Sequence, residues 1–160
     1  MEIYDSLLGA VCDEYDRVTL IKKSERGEVT LIRHRASGNR YIFRHFSGSS
    51  EVYRKLLTVS CPNLPQIMEV GEKEGKTALL EEYVQGDTLG EILQGGLLTA
   101  AQAKQITRQL CMALWVLHSL GVVHRDVKPD NVIIRGTEAV LIDFDASRIY
   151  KNENLSLIHI

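Results

Sequence analysis

Three segments in the first half of the chain alternate apolar and polar residues with the two-residue period of a β-strand, and two later segments read as further strands. In chain order they are Tyr15–Ile21, Glu28–His34, Arg40–Phe46, Leu64–Val70 and Thr77–Glu82. Polar turn segments lie between the second and third, at Ala36–Asn39, and between the fourth and fifth, at Gly71–Lys76. Short polar connections of this kind join antiparallel neighbours, so the pattern predicts one five-stranded antiparallel sheet.

Helical spacing appears in two short stretches and one long one. In SEVYRKLLTV the residues Val52, Leu56 and Val59 share one helical face, and a second short helix is predicted over Thr88–Leu93. The long helix is predicted to begin at Thr99, because Gln102 three residues later gives the spacing of a capping box.

The second half of the long helix reads LCMALWVLHSL and is apolar almost all the way round. That pattern is typical of a helix buried on several sides, so Met112 and Trp115 are candidates for the core. Gly121 lies where such a helix would end.

Two short apolar runs follow, Val132–Ile134 and Ala139–Ile142, with the turn Arg135–Thr137 between them. The runs predict a hairpin. A hairpin would bring Asn131, just before the first run, and Asp143, just after the second, to the same end.

The residues at these ends suit phosphoryl transfer, which needs a carboxylate beside the attacking hydroxyl, Mg²⁺ ligands and cations near the phosphates. The segment HRDVKPDN runs from residue 124 to 131, and DFD occupies residues 143 to 145. Asp126 can accept the hydroxyl proton and Lys128 can approach the phosphate. Asn131 and Asp143 offer the hard oxygen ligands that Mg²⁺ requires.

HRDVKPDN followed by DFD resembles the catalytic loop and metal-binding turn of eukaryotic-type protein kinases. Lys128, two residues after Asp126, is similar to the serine/threonine-specific branch. The resemblance implies that Asp126 and Lys128 are catalytic, that Asn131 and Asp143 bind Mg²⁺, and that ATP is the phosphoryl donor. His124 is expected to be a packing residue.

The resemblance also implies an α+β, protein-kinase-like fold. Residues 1–84 would form a five-stranded antiparallel amino-terminal lobe with a short helix C and the hinge. Residues 85–160 would form part of a helical carboxy-terminal lobe. A cleft between the lobes would bind ATP, and the implied ATP-binding residues are Gly27, Val29, Ile42, Arg44, Glu51, Glu82, Val84, Asp87 and Ile133. Asp87 is read equally well as the cap of the next helix.

Several positions depart from the family pattern. Lys22 and Ser24 replace the first two glycines of the phosphate-binding loop, where a side chain limits the approach of backbone amides to phosphate. Arg44 replaces the lysine of the third strand and is expected to pair with Glu51. Glu81 falls at the gatekeeper position, where a buried carboxylate needs a partner unless the register slips by one residue.

Composition restricts the class of protein. Hydrophobic residues make up 44% and charged residues 25% of the 160, and the formal net charge is -2, which gives no basic surface for nucleic acid. The longest apolar run, Leu110–Leu117, is too short to cross a bilayer, and the amino terminus does not resemble a signal peptide. We therefore expect a cytoplasmic protein whose three cysteines are reduced.

Three functions fit these observations. The first is transfer of the ATP γ-phosphoryl group to serine or threonine hydroxyls of proteins. The second is a truncated or degenerate pseudokinase that binds nucleotide or a partner without turnover. The third is a small-molecule phosphotransferase of the aminoglycoside- or choline-kinase type, which Asp145 favours and Lys128 disfavours.

The closing segment ASRIYKNENLSLIHI stands where the family has its activation segment and further helices. Truncation is the expected reason. We expect self-association through the apolar surface that those helices would cover. The final LSLIHI is either a short edge strand or a tail.

Overall fold

The computed structural model describes residues 2–150 and divides the chain into two compact units. Within these residues, one unit comprises residues 2–59 together with Gln66–Tyr83, and the other comprises Ser60–Pro65 together with residues 84–150. The segment Ser60–Pro65 thus belongs to the second unit, whereas the sequence placed it in the first. The closing LSLIHI lies outside the described residues.

The first unit is a five-stranded antiparallel sheet with two helices. Its elements are α1 (Ile3–Glu14), β1 (Tyr15–Ser24), β2 (Gly27–His34), β3 (Arg40–Ser47), α2 (Glu51–Leu56), β4 (Ile67–Lys73) and β5 (Lys76–Glu82). The strand order is β1-β2-β3-β5-β4, which confirms the predicted sheet. The β4–β5 turn is shorter than predicted. Glu74 and Gly75 both have positive φ, as a type I′ hairpin turn requires.

The sequence patterns missed the helix α1. Its buried residues Tyr4, Leu7 and Val11 have helical spacing and pack on one face of the sheet. The sheet residues beneath them are Ile32, Phe43, Ala78 and Leu80. The Tyr4 hydroxyl lies 2.8 Å from the Nε2 atom of His45. This helix therefore covers a sheet face that would otherwise expose apolar side chains to water.

Close contact between α1 and the sheet depends on Gly71 in β4. A Cβ atom at Gly71 would lie 2.5 Å from the backbone of Tyr4, so any side chain there would collide with the start of α1. The β5 residue paired with Gly71 is Ala78, which is fully buried. Two small residues side by side thus let the helix backbone approach the sheet.

We predict that Gly71→Ala displaces α1 and lowers the free energy of unfolding by about 1–3 kcal/mol, as overpacking of a tight contact does. Urea unfolding measures the loss, and amide hydrogen exchange of residues 3–14 shows whether α1 has separated. Gly9→Ala is the matched control. Nothing lies within 4 Å of a Cβ at helical Gly9, so this change should stabilise by about 0.5–1 kcal/mol. Unchanged exchange of α1 in Gly71→Ala would contradict the prediction.

The second unit combines two helices with two small sheets. Its elements are β6 (Asp87–Thr88), α3 (Leu89–Gln94), α4 (Ala100–Ser119), β7 (Val122–Val123), a 3-10 helix (Pro129–Asn131), β8 (Val132–Arg135), β9 (Glu138–Leu141) and β10 (Arg148–Ile149). One sheet has the order β6-β8-β9 and the other pairs β7 with β10. The antiparallel pair β8–β9 is the hairpin that the apolar runs predicted.

Capping residues fix where the two helices of the second unit begin. Thr99 and Gln102 form the predicted capping box at α4. Thr88 and Glu91 form a second one at α3, so Thr88 is the cap and the alternative reading of Asp87 as a cap is wrong. A capping box satisfies two backbone N–H groups at once, which explains the exact start of each helix.

The prediction that α4 is buried on several sides is wrong. Met112 and Trp115 are 51% and 69% exposed, whereas Ala113 and Leu117 are fully buried. Within residues 2–150, α4 packs mainly on β7 and β9, which cover one face. No helix in that range is both long and apolar enough to cross a membrane.

The short helix α2 also differs from its prediction. It ends at Leu56, and its buried residues are Tyr53 and Leu56. The expected face of Val52, Leu56 and Val59 needs a longer helix, and Val59 lies beyond its end. Glu51 is the first residue of α2 and is exposed.

Candidate active site

The ring of His124 joins the two halves of the HRDVKPDN and DFD constellation. It is almost fully buried, and its Nε2 atom lies 2.9 Å from the carbonyl oxygen of Ile142. The backbone N–H of Asp126 donates to Nδ1 at 3.2 Å. The ring also packs edge-on against Phe144, with centroids 5.5 Å apart. The predicted packing role of His124 is confirmed.

These bonds define the protonation state of His124. A ring nitrogen that accepts a hydrogen bond carries no proton, so the proton of the neutral ring is on Nε2 and is donated to Ile142. Burial lowers the pKa of His124 below its ordinary value, although the carboxylates of Asp143 and Asp126 act in the opposite direction. A neutral ring can therefore hold both segments at physiological pH.

The carboxylate of Asp126 is bound from two sides. Lys128 Nζ lies 3.0 Å from Oδ2, and Asn131 Nδ2 donates to the same oxygen at 2.9 Å. Asn131 Nδ2 also donates to the backbone oxygen of Asp126 at 2.9 Å. The hydrogen bond from Lys128 is the main reason why the pKa of Asp126 is lowered. Asp126 is thus an oriented, ionised carboxylate.

Asn131 and Asp143 lie at the same end of the β8–β9 hairpin, as predicted. The N–H of Ile142 donates to the backbone oxygen of Asn131 at 2.9 Å, directly before Asp143. Asn131 Nδ2 donates both of these bonds to Asp126, so neither bond involves the side-chain oxygen Oδ1 of Asn131. Oδ1 of Asp143 accepts the N–H of Asp145 at 3.1 Å.

This donor set fits Mg²⁺ only in part. An amide oxygen and a carboxylate are the hard ligands that Mg²⁺ prefers. Within residues 2–150, however, no group of three or more His, Cys, Asp or Glu side chains could hold a metal ion. Asn131 and Asp143 would therefore hold Mg²⁺ together with oxygens from water or a nucleotide phosphate, as Mg²⁺ commonly is held.

Strained backbone marks the same region. Arg125 and Asp143 have φ of 70° and 64°, in the left-handed region that non-glycine residues rarely adopt. Each lies next to a residue that the His124 ring binds, Asp126 in one case and Ile142 in the other. Such strain persists where surrounding contacts hold it, and it clusters at functional sites.

In the first unit, the strand register places three predicted nucleotide residues on one sheet face. Val29 of β2 is paired with Arg44 of β3, and Ile42 lies two residues before Arg44. The face carries a buried ion pair as well. Arg44 Nε lies 2.7 Å from Oε2 of Glu81 in β5, and both side chains are less than 10% exposed.

The predicted pairing of Arg44 with Glu51 is wrong. Arg44 binds Glu81, while Glu51 is exposed at the start of a helix of only six residues. Register explains the actual partner. Glu81 is directly opposite Ile42 on the neighbouring strand, so it is a diagonal neighbour of Arg44 on the same face. The buried carboxylate of Glu81, predicted to be at the gatekeeper position, therefore has a cation partner.

The remaining predicted nucleotide residues lie in separate elements, and their roles stay predictions. Gly27 begins β2, where a Cβ atom would collide with the carbonyl oxygen of His45. The carboxylate of Glu82 accepts the N–H of Gln66 at 3.0 Å. Val84 is buried in the second unit, where Asp87 and Ile133 belong to paired strands.

The loop that corresponds to the phosphate-binding glycines is a tight hairpin turn. Ser24 pairs with Gly27, so only Glu25 and Arg26 form the turn between β1 and β2. Lys22 and Lys23 lie in β1 and are exposed. The segment that lacks the first two glycines of the family pattern therefore also forms a turn of only two residues between β1 and β2.

Comparison with known proteins identifies the class. The family described as protein kinase domain matches residues 17–158. The chain therefore belongs to the protein kinase family.

Two relatives and a solved structure illustrate the similarity. Serine/threonine-protein kinase pkn2 of Myxococcus xanthus is 33% identical over 109 residues, which are 66% of this chain and 13% of that protein. Serine/threonine-protein kinase D of Synechocystis sp. is 38% identical over 85 residues, 52% of this chain and 16% of that protein. The crystal structure of Rad53 1-466 in complex with AMP-PNP matches with a TM-score of 0.71 and 22% identity, covering 84% of this chain and 39% of that chain. The chain thus spans a small part of its curated relatives, and the Rad53 match shows the kinase fold.

We predict a specific pH dependence from His124. Because its pKa in the folded chain is below the ordinary 6.5, its contribution to stability is complete above about pH 6.5 and is lost as the pH falls below that value. Urea midpoints measured from pH 7.5 to 5 should therefore fall more steeply for the wild type than for His124→Asn. Asp126, whose pKa is also lowered, loses its contribution only below its ordinary 3.8, outside this range. Equal slopes in the two proteins would contradict a buried neutral ring.

Proposed function

We propose that this chain is the ATP- and Mg²⁺-binding part of a protein kinase that transfers the γ-phosphoryl group to serine or threonine hydroxyls. The observation that supports this most is the state of Asp126, a carboxylate held by Lys128 and Asn131 and kept ionised by the lysine. A carboxylate in that state can orient an attacking hydroxyl and accept its proton.

The other residues of the second unit would complete the chemistry. Asn131 and Asp143 would hold Mg²⁺, which supplies charge stabilisation for the phosphates when it is bound. Lys128 is half exposed at its side chain, so it can reach a transferring phosphoryl group while it stays near Asp126. His124 would act only by positioning Asp126 and the strand end before Asp143.

The proposed acceptor is a hydroxyl on a protein. Lys128 has the position typical of the serine/threonine branch, and the similar pkn2 and kinase D are named as serine/threonine-protein kinases. Since this chain spans only 13–16% of those two proteins, the acceptor and the activity of the whole protein are part of the proposal.

A second candidate is nucleotide binding without turnover. The two-residue turn Glu25–Arg26 favours it, because Lys22 and Ser24 bring side chains to the positions where glycine amides would approach phosphate. A pseudokinase would keep the ion pair of Arg44 and the metal residues but transfer no phosphoryl group.

We predict that Mg²⁺ with ATP raises the melting temperature, because a ligand that binds only the folded chain stabilises it by about 2.7 kcal/mol at one hundred times Kd. Asp143→Asn should remove the part of the shift that depends on Mg²⁺. Asp13→Asn, which changes an exposed aspartate of α1, is the matched control and should keep the full shift. No shift for the wild type at millimolar Mg²⁺ and ATP would contradict the proposal for both candidates.

We predict that Asp126→Asn lowers phosphoryl transfer by about 10²- to 10⁴-fold, the usual contribution of a positioned base. Labelled ATP with a generic protein substrate, and separately with aminoglycosides and choline, measures the rate and the acceptor. Glu138→Gln, at the surface ion pair with Arg135, is the control. Label on the small molecules alone would refute a protein acceptor, and nucleotide binding without any transfer by the wild type would favour the second candidate.

A further inference from the structure

The ion pair between Arg44 and Glu81 is exceptional within residues 2–150. Among the buried polar residues of that range, Glu81 is the only acid, and Arg44 is the only base apart from the neutral His124. An unpaired buried charge costs several kcal/mol, so two such charges persist together only where their geometry is good. The 2.7 Å contact from Nε to Oε2 satisfies that requirement.

Strand pairing fixes this geometry. β3 and β5 are hydrogen-bonded neighbours, Arg44 is opposite Leu79, and Glu81 is opposite Ile42. Leu79 and Ile42 lie on the same face as the ion pair and are buried, so apolar side chains surround the two charges. The two residues therefore stay diagonal neighbours as long as β3 and β5 stay paired.

The bond to Glu81 uses the Nε–H of Arg44. A guanidinium has five N–H donors in a planar fork, so a bond at Nε orients the fork without itself consuming the Nη donors. A carboxylate at this place therefore sets the direction in which the Nη groups point.

The helix α2 is unsuited to the same task. It has six residues, its buried side chains are Tyr53 and Leu56, and Glu51 is its only acid. Glu51 is exposed, and its backbone N–H donates to Ser49 Oγ at 3.2 Å. The acid that orients the third-strand cation is thus carried by the sheet.

We propose that Glu81 is the positioning residue for Arg44, and that it orients the guanidinium toward the phosphates of ATP. This inference rests on the proposed function. It implies that the phosphate cation is held by two adjacent strands, so its orientation does not depend on the position of α2.

The test compares the affinities of ATP and adenosine, because a phosphate-directed cation strengthens binding of ATP alone. Arg44→Met, Glu81→Met and the double variant Arg44→Met/Glu81→Met form a double-mutant cycle on the ratio of the two dissociation constants. Isothermal titration calorimetry with Mg²⁺ present gives both constants. Glu69→Met, at a partly exposed glutamate of β4, is the matched control.

If Glu81 acts through Arg44, Glu81→Met should lower the preference for ATP over adenosine by about tenfold or more, the loss expected for a misdirected charged hydrogen bond. The double variant should lose no more than Arg44→Met. Glu81→Gln keeps an oxygen that can accept from Nε and should retain part of the preference. A purely structural role would weaken ATP and adenosine equally and leave the ratio unchanged.

Glu81→Met leaves Arg44 buried without its acid, so it can fail to fold. The double variant avoids this cost, because replacing a buried ion pair by apolar residues is often neutral or stabilising. It should fold, bind adenosine and lack the preference for ATP. A folded double variant that keeps the wild-type preference would overturn the inference.

The outcomes separate the inference from the proposed function. A wild type that binds neither ATP nor adenosine would refute the proposed function, and the inference would fall with it. A wild type that prefers ATP, with Glu81→Met folded and unchanged in that preference, would overturn only the inference. The inference would also be overturned if Glu51→Met lost the preference for ATP over adenosine while Glu81→Met kept it.

Discussion

The two hydrogen bonds of the His124 ring hold together segments that are 18 residues apart in the chain. One nitrogen accepts from the backbone of Asp126, and the other donates to the carbonyl of Ile142. Through these bonds, one side chain places the carboxylate of Asp126 and the strand end before Asp143. The arrangement requires an uncharged ring, and burial provides it by lowering the pKa of His124.

In the first unit, burial likewise means that charged side chains need partners. Arg44 and Glu81 lie among buried apolar side chains, so each charge is stabilised by the other, and the register of β3 against β5 brings them together. Arg44 stands where the family pattern has a lysine, and Glu81 is an acid at the predicted gatekeeper position. The two departures are therefore one feature. Considered separately, each is an unexplained departure from the kinase pattern. Considered together, they form a cation whose orientation comes from the sheet.

Local patterns were sufficient to predict much of the fold. Alternation indicated the first three strands, apolar segments joined by a polar turn indicated the other two, and the spacing of Thr99 and Gln102 indicated the start of α4. The apolar runs around Gly136 indicated the hairpin that brings Asn131 and Asp143 to one end. These features depend on neighbouring residues in the chain, which is why a single sequence contains them.

Features that depend on distant partners were missed. The buried residues of α1 form a face only against Ile32, Phe43, Ala78 and Leu80, which come later in the chain. Trp115 is exposed because few elements pack around α4, and the apolar sequence of the helix does not show which elements those are. The partner of Arg44 depends on strand register and on the short length of α2. Counting the register of the β3–β5 pair would have indicated Glu81.

The proposed function depends above all on the binding of one metal ion by Asn131 and Asp143 together with a nucleotide. Mn²⁺, a paramagnetic substitute for Mg²⁺, tests it directly by nuclear magnetic resonance of the ¹⁵N-labelled chain with a non-hydrolysable ATP analogue. We expect sub-stoichiometric Mn²⁺ to broaden the side-chain amide of Asn131 and the backbone amides of residues 143–145 only when the nucleotide is present. Broadening at scattered surface acids, with Asn131 unaffected, would contradict the claim.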